Sequence, residues 1–333
     1  MNDLPFVSVI VCTRNRARIL ERSAASLLAI DYPPERWEVL IVDNRSTDDT
    51  LAVAHEIARG HPDLVRVIEE REIGLSATRN TGIRNARGEI IAFIDDDAFP
   101  ESGWLRALVE VLQQDNALVA GGPVEPWFQG ELPSWFGDRY LPYLAAWDLG
   151  TEVHSLSYNE YPRGNNIAFR RTVFERYGDF SRHLGRTGSS LLSCEETEVC
   201  LRVERGGDRI LYAPGARIRH LTVTDRLTPE WLSRRFFAQG RSEAIVEWRH
   251  AGWRGLSRGW LHWSRMVVEA MLQRRHLSDG RIYLGCLRNA LAGYVWGILT
   301  APLAVPRYRP AHGDSEWLPW QKPADASVGP RAA

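Results

Sequence analysis

Glu89-Ile90-Ile91-Ala92-Phe93-Ile94-Asp95-Asp96-Asp97 is the stretch that decides the fold. Its unbroken apolar run from Ile90 to Ile94 suits a strand buried on both faces, the kind that lies inside a sheet covered by helices. The run ends in three carboxylates, at the edge of the sheet where α/β proteins bind their ligands. Clustered carboxylates repel one another, and a hard divalent cation relieves that repulsion. Mg²⁺ or Mn²⁺ takes oxygen ligands and commonly bridges one or two carboxylates to a substrate diphosphate. If strand geometry persists through the triplet, Asp95 and Asp97 share a face and Asp96 points away. The triplet also fits a solvated, Asp-rich turn.

Outward from this strand the pattern repeats. Residues 7–13 and 38–42 are further apolar, β-branched runs. Between them 17–30 puts Ile19, Leu20, Ser23, Ala24, Leu27 and Leu28 on one helical stripe, and 50–59 reads as a helix stopped by Gly60. Strand and helix alternate to about Val124, which predicts an α/β fold whose parallel sheet carries helices on both faces. Segment 125–162 shows neither period and is rich in Pro, Gly and Trp; a loop of that length is usually functional. After it come a strand and helix over 166–177, a helix over 195–205 closed by Gly206 and Gly207, and apolar stretches at 209–213 and 216–221. From Pro229 onward the pattern is helical. The expected organisation is a catalytic domain over 1–225, a helical Arg- and Trp-rich extension over 226–310, and a loose tail over 311–333.

The chain of 333 residues, 44% hydrophobic and 25% charged, is long enough for a substantial core, so disorder is not the default. A net charge of -1 hides an asymmetry: residues 231–310 hold thirteen Arg against four acidic residues. Cys12, Cys194, Cys200 and Cys286 match neither a zinc-ligand spacing nor a CxxC pair, which suits a reducing cytoplasm. The first six residues lack a basic n-region, so no signal peptide is expected. Neither GxGxxG nor GxxxxGK[ST] follows the first strand, which counts against dehydrogenases and P-loop NTPases. No nucleic-acid partner is expected.

Asp43 ends the second strand and could accept hydrogen bonds from a base or a ribose. Ser46 and Asp49 just after it have the spacing of a capping box for the next helix. Taken together, Val7-Ser8-Val9-Ile10-Val11-Cys12-Thr13-Arg14-Asn15, then Asp43 with Ser46 and Asp48, then Gly74-Leu75-Ser76-Ala77-Thr78-Arg79-Asn80-Thr81-Gly82, then Asp95-Asp96-Asp97, resemble family 2 glycosyltransferases. The likeness covers roughly residues 6–221. It implies a GT-A fold with a mixed, mostly parallel sheet, a nucleotide-diphosphate sugar donor, a divalent cation (Mg²⁺ or Mn²⁺), and inversion at the anomeric carbon. By that likeness Thr13, with Arg14 and Asn15, and Asp43 sit at the nucleotide, and Arg79 lies near the nucleotide or its phosphates. Asp95 and Asp97 form the DxD pair at ribose and metal.

In this family the base is usually the Asp of a Glu-Asp pair at the start of a later helix. Here the segment reads Cys194-Glu195-Glu196-Thr197, which places Glu196 at the base position with Glu195 as the second candidate. The departure moves the carboxylate by about one methylene, and displacements of about 1 Å can be kinetically expensive. Ser193 and Glu196 also have capping-box spacing. The likeness suggests His220 as a metal ligand beside the DxD, against a purely structural role. Asn165 and Asn166, in Arg163-Gly164-Asn165-Asn166, could bond sugar hydroxyls or form a turn into a strand. Acceptor contacts are expected from 125–162, Trp135 included.

The function expected is transfer of a single sugar from a UDP- or GDP-sugar to a glycan or lipid-linked acceptor in bacterial surface polysaccharide assembly; no QxxRW element of processive synthases is present. The rival readings are a sugar nucleotidyltransferase and a binding relative that has lost turnover. In the extension, Arg interleaved with Trp suits a membrane surface, and equally a cap packed on the catalytic domain. Residues 290–306 carry no charge but are short for a span, so the expectation is a cytoplasmic protein held peripherally at the inner face of the cell membrane.

Overall fold

The computed structural model describes residues 4–114, 117–273 and 279–308. The expected tail, 311–333, lies outside them. In chain order the first half runs β1 (Val7–Thr13), α1 (Ala17–Leu28), β2 (Trp37–Asp43), α2 (Thr50–Gly60), β3 (Val65–Glu69), α3 (Leu75–Asn85), β4 (Ile90–Asp95), β5 (Ala98–Pro100), α4 (Trp104–Gln113), β6 (Val119–Gly121) and β7 (Val124–Phe128). It continues with β8 (Asn166–Arg170), α5 (Thr172–Tyr177), α6 (Glu195–Arg205), β9 (Ile210–Tyr212), β10 (Ile218–Thr222), α7 (Pro229–Ala251), α8 (Trp253–Gln273) and α9 (Gly280–Ala304).

The apolar runs become the middle of a seven-stranded sheet, ordered β3-β2-β1-β4-β8-β6-β9. β3, β2, β1 and β4 are mutually parallel, and β8 runs antiparallel to both β4 and β6. The register pairs Thr13 with Asp43 and Cys12 with Asp95, so three site candidates end flush on one edge of the sheet. Ile90 to Ile94 are all buried, as a strand sandwiched between helices requires.

A second sheet, β5-β10-β7, was not foreseen, because β7 falls largely in the aperiodic segment. Pro126 cannot donate to a ladder, and β7 is an edge strand, where that loss is tolerated. This sheet does something local for the site. Antiparallel pairing sets His220 opposite Ala98, and the Leu221 amide donates to the Asp97 carbonyl at 2.9 Å. The rest of 125–162 includes a 3₁₀ segment, Asp138–Leu144.

Helices α7 and α9 cross closely because glycine faces backbone at the contact. A Cβ on Gly240 would meet the Ala290 carbonyl oxygen at 2.0 Å, and one on Gly293 would meet that of Phe237 at 1.9 Å. The Tyr294 hydroxyl donates to Glu247 within this contact. Ile245, Val246 and Ala301 from these helices, with Val305 just past the end of α9, enter the core of the sheet domain, so the extension is packed onto it. The joint is electrostatic as well. Glu198 on α6 is fully buried between Arg202 at 2.7 Å, His250 at 2.9 Å and Arg249 at 3.1 Å, the last two from α7. Burial penalises its charge, but Arg202 and then His250 and Arg249 outweigh that and hold the carboxyl below its usual range. Removing one side of such a buried pair costs about 3–5 kcal/mol.

Neither expected capping box forms. The α2 amide of Thr50 is capped by Asp48 Oδ1 at 3.0 Å, while Ser46 accepts from the Asn15 amide instead. At α6 the cap position is Cys194, in the left-handed region at φ 67°, and Ser193 spends its hydroxyl on Gln239 of α7. Tertiary partners win over the local motif in both places.

Candidate active site

The carboxyl edge of the sheet opens into a cleft with a cavity volume of about 390 Å³. Strand geometry stops at Asp95, and Asp96 and Asp97 turn with the chain. The three carboxylates therefore separate. Asp95 faces Arg79 at 3.6 Å, Asp96 accepts from Thr13 Oγ1 at 2.7 Å, and Asp97 is ringed by His220 at 3.2 Å, Arg226 at 3.2 Å and Arg16 at 3.3 Å. Burial raises Asp96, and the neighbouring Asp97 raises it further. Burial also penalises Asp97, but His220, Arg226 and Arg16 overcome it and pull this carboxyl far below the ordinary range. The solvated-turn reading fails, since Asp96 and Asp97 are buried.

Asp97 and His220 are brought together as the likeness implies, but Asp95 is turned to Arg79. Among the described residues no group of three or more His, Cys, Asp or Glu side chains is disposed to hold a metal ion. The two that do meet fit one. His220 Nδ1 lies 3.1 Å from the Leu144 carbonyl oxygen and Nε2 lies 3.2 Å from Asp97 Oδ1, so both ring nitrogens face acceptors. A neutral imidazole has one N–H to give. If it is spent on the carbonyl, the Nε2 lone pair faces a carboxylate, and either a second ring proton or a cation held between the two relieves the clash. A backbone carbonyl orienting the second nitrogen is the usual support for a metal-bound histidine.

The other wall of the cleft is the N-terminal turn of α6. Glu195 is buried and its Oε1 takes Arg79 Nη1 at 2.6 Å. Arg79 is itself buried, donates to the Gly164 carbonyl at 2.9 Å, and lies over the rings of Phe93 and Phe180. A Cβ at residue 164 would come within 2.8 Å of that guanidinium, which is why glycine stands there. Arg79 thus ties α3, β4 and α6 together. Glu196 lines the cleft with its Oε2 buried and without a partner.

The remaining candidates divide. Thr13, Arg14, Arg79 and Asp95 line the cleft, whereas Asn15 and Asp43 are not among its lining residues. Asn15 Oδ1 receives the Thr47 amide at 2.7 Å, and Asp43 Oδ2 receives that of Ser46 at 3.0 Å; Asp43 Oδ1 is buried and unpartnered. Asn165 lines the cleft with both amide atoms buried and unpartnered. Asn166 is different and corrects the expectation. It is fully buried, donates to the Pro123 and Ala216 carbonyls, and accepts from Trp104 Nε1, so its hydrogen bonds are spent on the fold. Trp135 is likewise no cleft residue but packs edge-on to Tyr140 in the aromatic core under α7.

Sequence reasoning missed the residues that α7 brings in. Trp231, Arg235 and Gln239, four apart on one helical face, line the cleft together with Arg163, Arg186 and Tyr143. Their spacing was visible, but nothing in the sequence told which face of α7 met the sheet domain.

Four likenesses bear on this geometry. Residues 8–178 match the family described as glycosyl transferase family 2. The chain is 30% identical over 246 residues to a glucosyl-dolichyl phosphate glucuronosyltransferase from Haloferax volcanii, covering 72% of this chain and 77% of that one. It is 25% identical over 267 residues to the succinoglycan biosynthesis protein ExoM of Rhizobium meliloti, covering 78% and 80%. In fold it is similar to the mannosyltransferase PcManGT from Pyrobaculum calidifontis, solved with GDP-Man and Mn²⁺, with a TM-score of 0.61 at 21% identity over 89% of this chain and 88% of that one.

Proposed function

This chain belongs to glycosyl transferase family 2 and is a glycosyltransferase of GT-A fold, and from that premise we propose that it is an inverting enzyme that moves one sugar from a UDP- or GDP-sugar to a hydroxyl of a glycan or lipid-linked acceptor in bacterial surface polysaccharide assembly. The observation that carries the reading is the unpartnered Glu196 Oε2 in the same cleft as Asp95 and the Asp97–His220 pair. A base needs a carboxylate that is not tied up: Glu195 is fixed through Oε1 to Arg79, although its Oε2 is also unpartnered, whereas Glu196 has no ion pair among the described residues.

In this reading Glu196 takes the proton from the acceptor hydroxyl as that oxygen forms its bond to C1 of the donor. The bond from C1 to the diphosphate breaks on the opposite face, which inverts the centre. Asp97 and His220, with Asp95 on the approach, are the residues that would hold Mg²⁺ or Mn²⁺. When bound, the ion neutralises charge on the leaving diphosphate. Thr13 and Arg14 face the nucleotide, Asn165 offers its free amide to sugar hydroxyls, and Arg79 sets the distance between Glu195 on α6 and Asp95 on β4. Asn15 and Asp43 support the nucleotide loops from behind. Calorimetric titration with UDP, GDP, CDP and dTDP, each with Mn²⁺ and with EDTA, tests the reading: one nucleotide is expected to bind in a metal-dependent way. A folded protein that binds none of them would leave the lapsed-binding alternative standing.

The domain reading follows: 1–225 as the catalytic unit, and 226–310 as an extension that completes its cleft and meets the membrane. Of the twelve large hydrophobic side chains exposed among the described residues, nine are on α8 and α9, with Leu272 at 76% and Leu303 at 88%. Trp253, Trp260 and Trp296 belong to this set, and Arg254, Arg258, Arg281 and Arg288 are exposed on the same two helices. Such a surface suits an anionic lipid headgroup layer. α9 is long and apolar enough to cross a membrane, but its other face is seated on α7 through Gly293 and Tyr294, which supports lying on the membrane. The protein is expected to float with phosphatidylglycerol-containing vesicles, and Leu261→Glu with Leu272→Glu to abolish this. Extraction by detergent alone, and not by salt or alkali, would count for a span.

A further inference from the structure

Two guanidinium groups in the cleft have nothing to hold. Arg163, in the loop before β8, has its Nε buried without a partner, and Arg235, on α7, has its Nη1 in the same state. Among the described residues neither side chain forms an ion pair or a hydrogen bond. Both side chains are half-buried, and by contrast Arg16 and Arg226 are paired with Asp97, and Arg79 with Glu195. A cation whose nitrogen is taken out of water with no partner in return is unfavourable. Burial is the largest influence pulling the Arg163 guanidinium down, Arg235 adds repulsion, and Glu196, within electrostatic reach, works against both. Yet Glu196 makes no ion pair with either among the described residues. Arg186 reaches the same cleft from the loop before α6.

The position of Arg235 is fixed, not incidental. Gln239, one turn on, accepts from Ser193 Oγ at 3.2 Å and donates to Cys194 Sγ at 3.5 Å, and the Ser193 amide donates to Ser242 Oγ at 3.0 Å. These bonds clamp α7 to the residues that open α6, so Arg235 is held in the cleft that Glu196 also lines. Trp231, one turn back, supplies an apolar wall.

We propose that Arg163 and Arg235, with Arg186 at the mouth, form an acceptor subsite for a phosphate group carried near the hydroxyl that Glu196 deprotonates. The proposal rests on the reading of this cleft as a sugar-transfer site. Planar guanidinium forks match phosphate oxygens in pairs, and several of them together suit its charge. In the reading above the donor diphosphate lies on the Asp97 side, with the ion that would be held there, so this cluster is left for the second substrate.

The test is calorimetric titration of the full chain with inorganic phosphate, glucose 6-phosphate and geranyl phosphate, with and without saturating nucleoside diphosphate and Mn²⁺. Arg163→Gln and Arg235→Gln are each expected to weaken phosphate binding about tenfold to hundredfold, the loss of one charge-assisted contact, while nucleotide affinity stays unchanged. Arg235→Gln should melt no lower than the wild type, since it removes an unpaired cation; a clear drop would make the residue structural and overturn the proposal. So would phosphate binding that the variants leave intact, a wild type that binds no phosphate probe, or variants that lose nucleotide instead. If nucleotide fails to bind the wild type, the transfer reading falls by itself, and the phosphate arms still report on the cluster. Geranyl phosphate binding tighter than glucose 6-phosphate supports the subsite with a lipid-borne phosphate; the reverse order supports it with a soluble one.

Discussion

Glu196→Gln is expected to lower the rate of sugar transfer about 10²–10⁴-fold, the usual worth of a positioned base, while nucleotide binding is retained. Rates are read as nucleoside diphosphate release, with water as acceptor where no better one is in hand. The reason lies in the difference between two adjacent carboxylates. Glu195 Oε1 is 2.6 Å from Arg79 Nη1 and is held there by a guanidinium that also bonds the Gly164 carbonyl. Burial and then Glu196 raise the Glu195 carboxyl, and Arg79 opposes them, so its charge is bound up with that one contact. Glu195→Gln should therefore act first on stability, by about 3–5 kcal/mol, because it leaves Arg79 unpaired in the interior. Glu196 has no such duty, and its glutamine variant should fold as the wild type does. Glu196→Asp is the informative control: it shortens the side chain by one methylene and keeps the charge, so part of the activity should return. Undiminished transfer by a folded Glu196→Gln enzyme would falsify the assignment.

What could be read from the sequence was what is local in it. Ile90 to Ile94 is an uninterrupted apolar run, and such a run followed by carboxylates is legible because burial and the strand end are both written in consecutive residues. The start of α6 at Glu195 was equally visible, since acidic residues, apolar periodicity and the Gly206-Gly207 stop agree. Asp97 meeting His220 was suggested only by likeness, and its physical cause is a strand register across more than a hundred residues. No local pattern encodes that.

The misses follow the same line. Asn165 and Asn166 are neighbours at the entry to a strand, so one must face the cleft and the other the core, and the sequence does not say which. Trp104 Nε1 and two carbonyls decide it for Asn166. Arg and Trp on α7 to α9 read alike in sequence, yet the structure sorts them. Trp263 is buried with its Nε1 on Glu243, Trp231 lines the cleft, and Trp253 is 64% exposed. The packed cap is one face of these helices, and the apolar and basic side chains that suggest a membrane surface are exposed on another.

Asp97→Asn is the second variant expected to have a large effect, and it should show in two ways. The first is stability without any ligand. Asp97 is 4% exposed and takes Arg16, Arg226 and His220 all within 3.3 Å. An amide of the same shape cannot balance them, and an unbalanced buried cluster costs about 3–5 kcal/mol, enough to lower the melting temperature by several degrees. The second is donor binding. If Asp97 and His220 hold the cation, the variant loses metal-dependent nucleotide affinity, and Mn²⁺ with nucleotide no longer raises its melting temperature as it should raise that of the wild type. The two effects can be separated by Arg226→Gln, which removes one cation from the cluster but no ligand. It should restore stability when combined with Asp97→Asn, yet leave nucleotide binding absent. A double variant that regains metal-dependent binding would show that Asp97 serves only to neutralise its arginines, and the metal reading of this carboxylate would fall.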